Sequence, residues 1–220
     1  RITSWRYKRG TRTLQHLKAQ EEKEDKKQAD EEEQDEEMLD EDEIDFEQLE
    51  FIIQLLLDSL KDPDTAVRWT AAKGLGRITQ RLTKDFGDQI VEQLHDLFSD
   101  TETESTWHGG CLALAELCRR GLLLPERLDS FIKVLDVAMT YDISKGNHSV
   151  GSHVRDAACY VVWSFARAYS PEIMKPHVHM LSNKLIVVSM FDREVNCRRA
   201  ASATFQECVG RQGGIFPHGI

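Results

Sequence analysis

The side chains best suited to chemistry in this sequence are cysteines and histidines. His108 lies three residues before Cys111, Cys118 follows two helical turns later, and His177 and His179 form a His-x-His pair. Imidazole and thiolate are the usual zinc ligands. No Cys-x-x-Cys pair accompanies them, and the two cysteines are predicted to share one buried helix face. We therefore expect no metal site.

A cysteine nucleophile requires an exposed, electropositive helix start with a base within reach, and no such local signature is present. Cys111, Cys118, Cys159 and Cys208 fall on apolar helical stripes, which is typical of reduced thiols packed as small hydrophobic groups. The alternative is an enzyme with its site in the second repeat, in which Cys111→Ser would abolish an activity without changing helicity. We expect no catalytic residue.

Two glycine-rich stretches could suggest phosphate binding. Gly74-Leu75-Gly76 and residues 210–214 neither follow a predicted strand nor continue as Gly-Lys-Ser/Thr, so no cofactor is expected. Gly109 and Gly110 stand in a helical pattern, where glycine costs about 1 kcal/mol relative to alanine. They indicate either a close helix contact or a delayed helix start.

The elements that position these residues are predicted to be helices in pairs. From Phe46 onward apolar residues recur at helical spacing, and four amphipathic helix pairs can be drawn up to Gln212. Asp64 is placed to cap the second helix, and Pro171 to begin the first helix of the fourth pair. The second helices carry these apolar stripes: Val67, Ala71, Leu75, Ile78 and Leu82; Trp107, Cys111, Leu114 and Cys118; Val154, Ala157, Ala158, Val161, Val162 and Phe165; Cys197, Ala201, Phe205 and Cys208.

The second helices align at Arg68, Trp107, Arg155 and Arg198, with spacings of 39, 48 and 43 residues. Such intervals are typical of HEAT and armadillo repeats. The long interval is explained by a polar loop, residues 140–152, and no stretch alternates like a strand. The sequence predicts an all-α superhelical solenoid whose inner helices line a concave surface for a large partner. Arg68 is expected to bridge to the turn of a neighbouring repeat.

Charge divides the chain further. Residues 1–20 hold six Lys/Arg and no acid, whereas residues 21–50 hold eighteen acids and three lysines. We predict a basic N-terminal arm over 1–19, with the end of a preceding helical repeat as the alternative, and then a disordered acidic linker over 20–45. HEAT-like repeats follow over 46–212, and 213–220 forms a loop to the next part of a longer chain.

Composition also limits the partners. The segment from 51 to 220 is nearly neutral, which makes duplex DNA a poor partner, and no nucleic acid is expected. No apolar run reaches eighteen residues and no signal-peptide core is present, so no membrane insertion and a cytosolic location are expected.

The inner helices end in basic residues, which are the candidate partner-binding residues: Arg77, Arg81, Arg119, Arg120, Arg167 and Arg211. One interpretation is that they only offset the negative ends of the helix dipoles. The other is that they line one rim of the array and meet an acidic protein surface. The sequence leaves both open.

Long stretches of the chain resemble the tubulin-specific chaperone D family, also called tubulin-folding cofactor D. The resemblance covers nearly all of 46–220 and part of the N-terminal arm, but not the acidic stretch. The matching stretches are Trp5 to Tyr7 with Arg9-Gly10, Val67 to Trp69 with Ala71 to Gly74, Trp107 to Leu117, Arg119 to Pro125, Val154 to Val161 with Phe165 to Tyr169, Asn196 to Ala203, and Val209 to Gly213 with Phe216 to Ile220. The junction at Gly213-Gly214-Ile215 is one residue longer than the family pattern.

This resemblance implies one segment of a HEAT-repeat scaffold that captures β-tubulin and helps to assemble the α/β-tubulin dimer. It further implies partnership with other tubulin-folding cofactors and an Arf-like small GTPase, stimulation of GTP hydrolysis by tubulin, and association with microtubules or the centrosome. The scaffold itself would be non-enzymatic. The alternative is another HEAT or armadillo scaffold, such as a transport receptor or a phosphatase subunit.

Overall fold

The structure is a computed structural model that describes residues 46–216. Residues 54–216 belong to one compact unit, which contains every side-chain contact discussed below. The predicted arm over 1–19 and linker over 20–45 lie outside the described residues, as do positions 217–220. The expectations for those segments remain predictions.

Residues 46–216 contain nine α-helices and one β-hairpin. This confirms the all-α class built from four helix pairs. The elements are α1 Phe46–Ser59, α2 Thr65–Thr79, α3 Lys84–His95, α4 Glu104–Arg119, α5 Leu128–Ala138, β1 Ile143–Lys145, β2 His148–Val150, α6 Ser152–Ala168, α7 Pro171–Met174, α8 Val178–Phe191 and α9 Val195–Gln212, with 3₁₀ turns at Asp96–Phe98, Pro125–Arg127 and Gly213–Ile215.

The second helices of the pairs form a continuous layer in which α2, α4, α6 and α9 pack side by side in chain order. Helix α4 lies between two such neighbours and also packs against α3, so every residue from Thr106 to Cys118 is buried. The predicted apolar stripes account for most of the core. Val67 is an exception, because it is 38% exposed on α2.

In each second helix, the side chain at the aligned position donates a hydrogen bond to the turn that precedes the helix. Arg68 donates to the carbonyl of Asp62 at 2.6 Å, and Arg198 donates to the carbonyl of Asp192 at 2.6 Å. Arg155 donates in the same way to a carbonyl of the loop before its helix, at 2.8 Å. In the second repeat the indole N–H of Trp107 takes this role and donates to a carbonyl of the preceding turn at 3.0 Å. A side-chain donor therefore satisfies a turn carbonyl in every repeat.

The turn before α2 also has the predicted cap, because the Asp64 carboxylate accepts from the backbone N–H of Ala66 at 2.6 Å. Arg68 crosses to the next repeat, but it reaches His108 on α4 rather than a turn. Its Nε donates to the Nδ1 of His108 at 2.9 Å. The expected bridge to a neighbouring turn is made by Arg155, which binds Asp192.

Gly109 marks a close helix contact. A Cβ at this position would lie 1.9 Å from the carbonyl oxygen of Leu60, a separation that two non-bonded heavy atoms do not tolerate. Helix α4 begins at Glu104, five residues earlier, so a delayed helix start is not the reason for the glycine.

Two local features differ from the sequence prediction. The polar loop contains a hairpin in which Ile143 pairs with Val150 and Lys145 with His148. Its two-residue connection, Gly146-Asn147, is a known hairpin signal, and Gly146 has the positive φ of 62° that such turns use. The first helix of the fourth pair is split into α7 and α8, because Pro176 has no N–H to continue α7. No helix within 46–216 is long and apolar enough to cross a bilayer.

Candidate protein-binding surface

The six predicted arginines lie at or just beyond the C-terminal ends of the second helices. Those ends adjoin one another. The Arg120 Nη1 donates to the Gln80 side chain at 3.0 Å, the Tyr169 hydroxyl donates to the Leu123 carbonyl at 3.0 Å, and the Gln212 amide donates to the Tyr169 carbonyl at 3.4 Å. The arginines therefore share one edge of the layer. We call this the basic edge: Arg77, Arg81, Arg119, Arg120, Arg167 and Arg211.

A buried carboxylate positions the two arginines of α4. The side chain of Glu116 is 3% exposed, and its oxygens lie 2.9 Å from Arg119 Nη1 and 3.5 Å from Arg120 Nη2. The Tyr160 hydroxyl donates to the same carboxylate at 3.3 Å. Arg119 is nevertheless 45% exposed, so its guanidinium is held in place while remaining open to a partner.

A second carboxylate positions the arginines farther along the edge. Arg167 on α6 donates to Glu207 at 2.7 Å, and Arg211 on α9 donates to the same oxygen. Burial alone would raise the pKa of Glu207, but the hydrogen bonds from Arg211 and Arg167 outweigh burial and lower it. Glu207 is therefore ionised at neutral pH.

Arg77 and Arg81 differ from the other four. Both are exposed, and neither guanidinium makes a hydrogen bond or ion pair with another residue in the part of the chain that the structure describes. Within the basic edge they are the two cations that no carboxylate of residues 46–216 engages.

A row of aromatic rings lies beside the basic edge. The ring of Trp69 is 5.8 Å from that of Tyr160, which stacks on Trp163 at 5.8 Å. Cations cover both ends of the row, with Lys73 Nζ 5.5 Å from the Trp69 ring and the Arg167 guanidinium 4.5 Å from the Trp163 ring. We call these five residues the aromatic ladder. Trp69 belongs to α2 and Tyr160 to α6, so their contact passes across α4.

Comparison with known proteins identifies the repeats. Residues 1–220 match the family described as tubulin-specific chaperone D-like, ARM repeats. The chain belongs to this family.

Two curated relatives agree with the assignment to the tubulin-specific chaperone D-like family. Tubulin-specific chaperone D from Dictyostelium discoideum is 54% identical over 167 residues, which are 74% of this chain and 11% of the relative. Tubulin-folding cofactor D from Schizosaccharomyces pombe is 34% identical over 185 residues, which are 78% of this chain and 17% of the relative. The chain thus spans less than a fifth of either relative. Membership in the tubulin-specific chaperone D-like family argues against the alternative assignments, a transport receptor or a phosphatase scaffold.

Within this family member, the stretch from Trp107 to Leu117 is core rather than site. Cys111 is fully buried, and burial raises the pKa of its thiol to about 12. His108 is 4% exposed, and burial together with the neighbouring Arg68 lowers its pKa to about 4. A protonated thiol and a neutral, hydrogen-bonded imidazole do not form a nucleophile and base. Among residues 46–216, no three His, Cys, Asp or Glu side chains are grouped to hold a metal ion.

Sequence reasoning identified the basic edge but missed the aromatic ladder. The available signal was a cation four residues after a tryptophan, at Trp69 with Lys73 and at Trp163 with Arg167. Both tryptophans lie outside the apolar stripes, and residues four apart share a helix face. The contact between Trp69 and Tyr160 had no such signal, because 91 positions separate them in the sequence.

Proposed function

We propose that this chain is part of a scaffold that captures β-tubulin and assists assembly of the α/β-tubulin dimer in the cytosol, at the microtubule cytoskeleton or centrosome. The scaffold acts with other tubulin-folding cofactors and with an Arf-like small GTPase, and it helps to stimulate GTP hydrolysis by tubulin. The segment itself is non-enzymatic. The names of the two relatives, a tubulin-specific chaperone and a tubulin-folding cofactor, support this role.

The observation that carries the proposal is the second-helix layer, whose basic edge and half-buried aromatic ladder lie side by side at its surface. Arginine, tryptophan and tyrosine are the residues enriched at the centres of protein interfaces. Here they come from successive repeats and are fixed by Glu116 and Glu207, so a partner meets preorganised groups. This favours the interpretation that the arginines bind a partner over the interpretation that they only offset helix dipoles.

The proposal assigns tubulin binding to the basic edge, so charge reversal there should weaken it. Arg77 and Arg81 are the best positions, because they are exposed and have no partner within 46–216 whose loss would disturb the fold. Arg120 is a poor position, since a glutamate there would face the buried carboxylate of Glu116. An exposed ion pair contributes up to about 1 kcal/mol.

We expect the full-length protein carrying Arg77→Glu and Arg81→Glu to retain tubulin roughly tenfold less well at physiological salt. The matched control reverses two exposed lysines of the first helices, Lys84→Glu and Lys133→Glu, and should leave retention unchanged. Equal retention by both double variants would overturn the assignment of tubulin binding to this edge.

A further inference from the structure

We propose that the basic edge and aromatic ladder bind an extended acidic segment of the partner, running across the second helices, with a carboxylate at about every third residue. The inference rests on the proposed function only for the identity of the partner. The inference goes beyond the proposed function by giving the conformation and the charge pattern of the bound segment.

Charge complementarity predicts that the bound segment is negatively charged. Every second helix contributes a cation to this surface, and the carboxylates among them, Glu116 and Glu207, are already engaged by pairs of arginines. Within the basic edge, six arginines therefore stand against the two carboxylates of residues 46–216 that engage them. The side chains of Arg119 and Arg167 are 45% and 34% exposed while hydrogen-bonded, so little side-chain freedom is lost when a carboxylate binds them.

Helix spacing gives the pattern. Packed helices lie about 8–10 Å apart, and a chain extended in the polyproline II conformation advances about 3.1 Å per residue with every third side chain on the same face. A segment crossing α2, α4, α6 and α9 at right angles therefore meets a new cation every three residues or so. About ten residues cross all four helices. Successive carboxylates at this spacing can face Arg77, Arg119, Arg167 and Arg211 in turn.

The aromatic ladder favours an extended chain over a helix. An amphipathic helix binds by laying apolar side chains into a groove. On this surface the rings of Trp69 and Tyr160 meet at 5.8 Å and cover α4 between them. A peptide backbone can lie along these ring faces while its carboxylates reach the adjacent arginines.

The test uses the full-length protein and fluorescein-labelled peptides of about twelve residues with four glutamates in a Gly/Ser/Thr background. In one peptide the glutamates stand at every third position, and in its isomer they are consecutive. By anisotropy we expect the spaced peptide to bind at least about threefold more tightly than its isomer. Arg77→Glu should remove most of that preference, whereas Lys133→Glu should retain it.

Equal binding of the two isomers, or a preference that survives Arg77→Glu, would overturn the inference. A helical peptide with glutamates seven residues apart that bound more tightly than the spaced peptide would also overturn it. Tubulin retention by the same variants separates the two proposals. If the peptide preference depends on Arg77 but Arg77→Glu with Arg81→Glu leaves tubulin retention unchanged, this inference stands and the assignment of tubulin binding to the edge fails. If tubulin retention falls but the peptide preference does not depend on Arg77, the assignment of tubulin binding stands and this inference fails.

Discussion

The guanidinium of Arg155 holds the carboxylate of Asp192 through two hydrogen bonds, 2.6 Å from Nε to Oδ2 and 3.1 Å from Nη2 to Oδ1. Its third nitrogen donates to the carbonyl of Tyr141 at 2.8 Å. Arg155 thus joins the turn ahead of its own helix to the turn of the next repeat. Both side chains are buried, at 6% and 5% exposed.

Arg155→Met should lower the free energy of unfolding by about 3–5 kcal/mol, because it leaves the Asp192 carboxylate buried without its counter-ion. Urea denaturation at neutral pH measures this. The control is Arg127→Met, which breaks the ion pair with Asp88 whose side chains are 34% and 28% exposed, and it should cost no more than about 1 kcal/mol. Similar losses in the two variants would contradict the structural role of Arg155.

The pair of Arg155 and Asp192 should also make the stability of the fold decrease at low pH. Burial alone would raise the pKa of Asp192, but the hydrogen bonds from Arg155 and from the Glu194 N–H lower it below 3.8. A depressed carboxyl pKa contributes stability that is complete above the unfolded value and is lost as pH falls through the folded value. Arg155→Met should therefore weaken the dependence of stability on pH below about 4.

Gly109→Ala should be strongly destabilising, by at least about 2 kcal/mol, because its methyl group would collide with the backbone of Leu60. Gly210→Ala is the matched control, since it is also helical but has nothing within 4 Å of the added Cβ. That substitution should stabilise the protein by up to about 1 kcal/mol. Opposite shifts of the urea midpoint are expected. A neutral Gly109→Ala would show that α4 does not approach Leu60 so closely.

His108 should make the fold sensitive to mild acid. Its pKa is about 4 in the fold, against an ordinary value of 6.5, because it is buried and accepts from Arg68. The unfolded chain takes up a proton first, so stability is highest above pH 6.5 and falls by roughly 3 kcal/mol between 6.5 and 4. His108→Gln should reduce this fall, whereas His179→Gln, at an exposed position, should not. An unchanged pH profile in His108→Gln would refute the assignment.

The thiols should react only when the protein unfolds. All five cysteines are buried, and burial raises the pKa of Cys111 to about 12 and that of Cys197 to about 11. Cys111→Ser should cost about 1–3 kcal/mol through an unpaired buried hydroxyl. Cys197→Ser should cost less, because its hydroxyl can donate to the Ser152 carbonyl that Sγ now contacts at 3.2 Å. Fast labelling of the native protein by a disulfide reagent would contradict these environments.

The helix pairs could be predicted because apolar periodicity and turn residues are local. The recurrence of apolar residues predicted the second helices, and Asp64 predicted the cap of α2. The hairpin after α5 and the break at Pro176 were missed, although both had local signals. The glycines before Cys111 predicted close contact without saying that Leu60 is the residue approached.

Local patterns predicted that the chain is helical and repetitive and that it carries arginines at one set of helix ends, because each property depends on residues within a few turns of one another. Contacts between helices distinguish the arginines that a carboxylate holds from those that remain exposed. Glu116 and Glu207 engage four of them, whereas Arg77 and Arg81 remain exposed. The contact of Trp69 with Tyr160 across α4 is likewise visible only in the structure. Contacts between repeats depend on how closely the helices pack, and that distance is set by side chains far apart in the sequence.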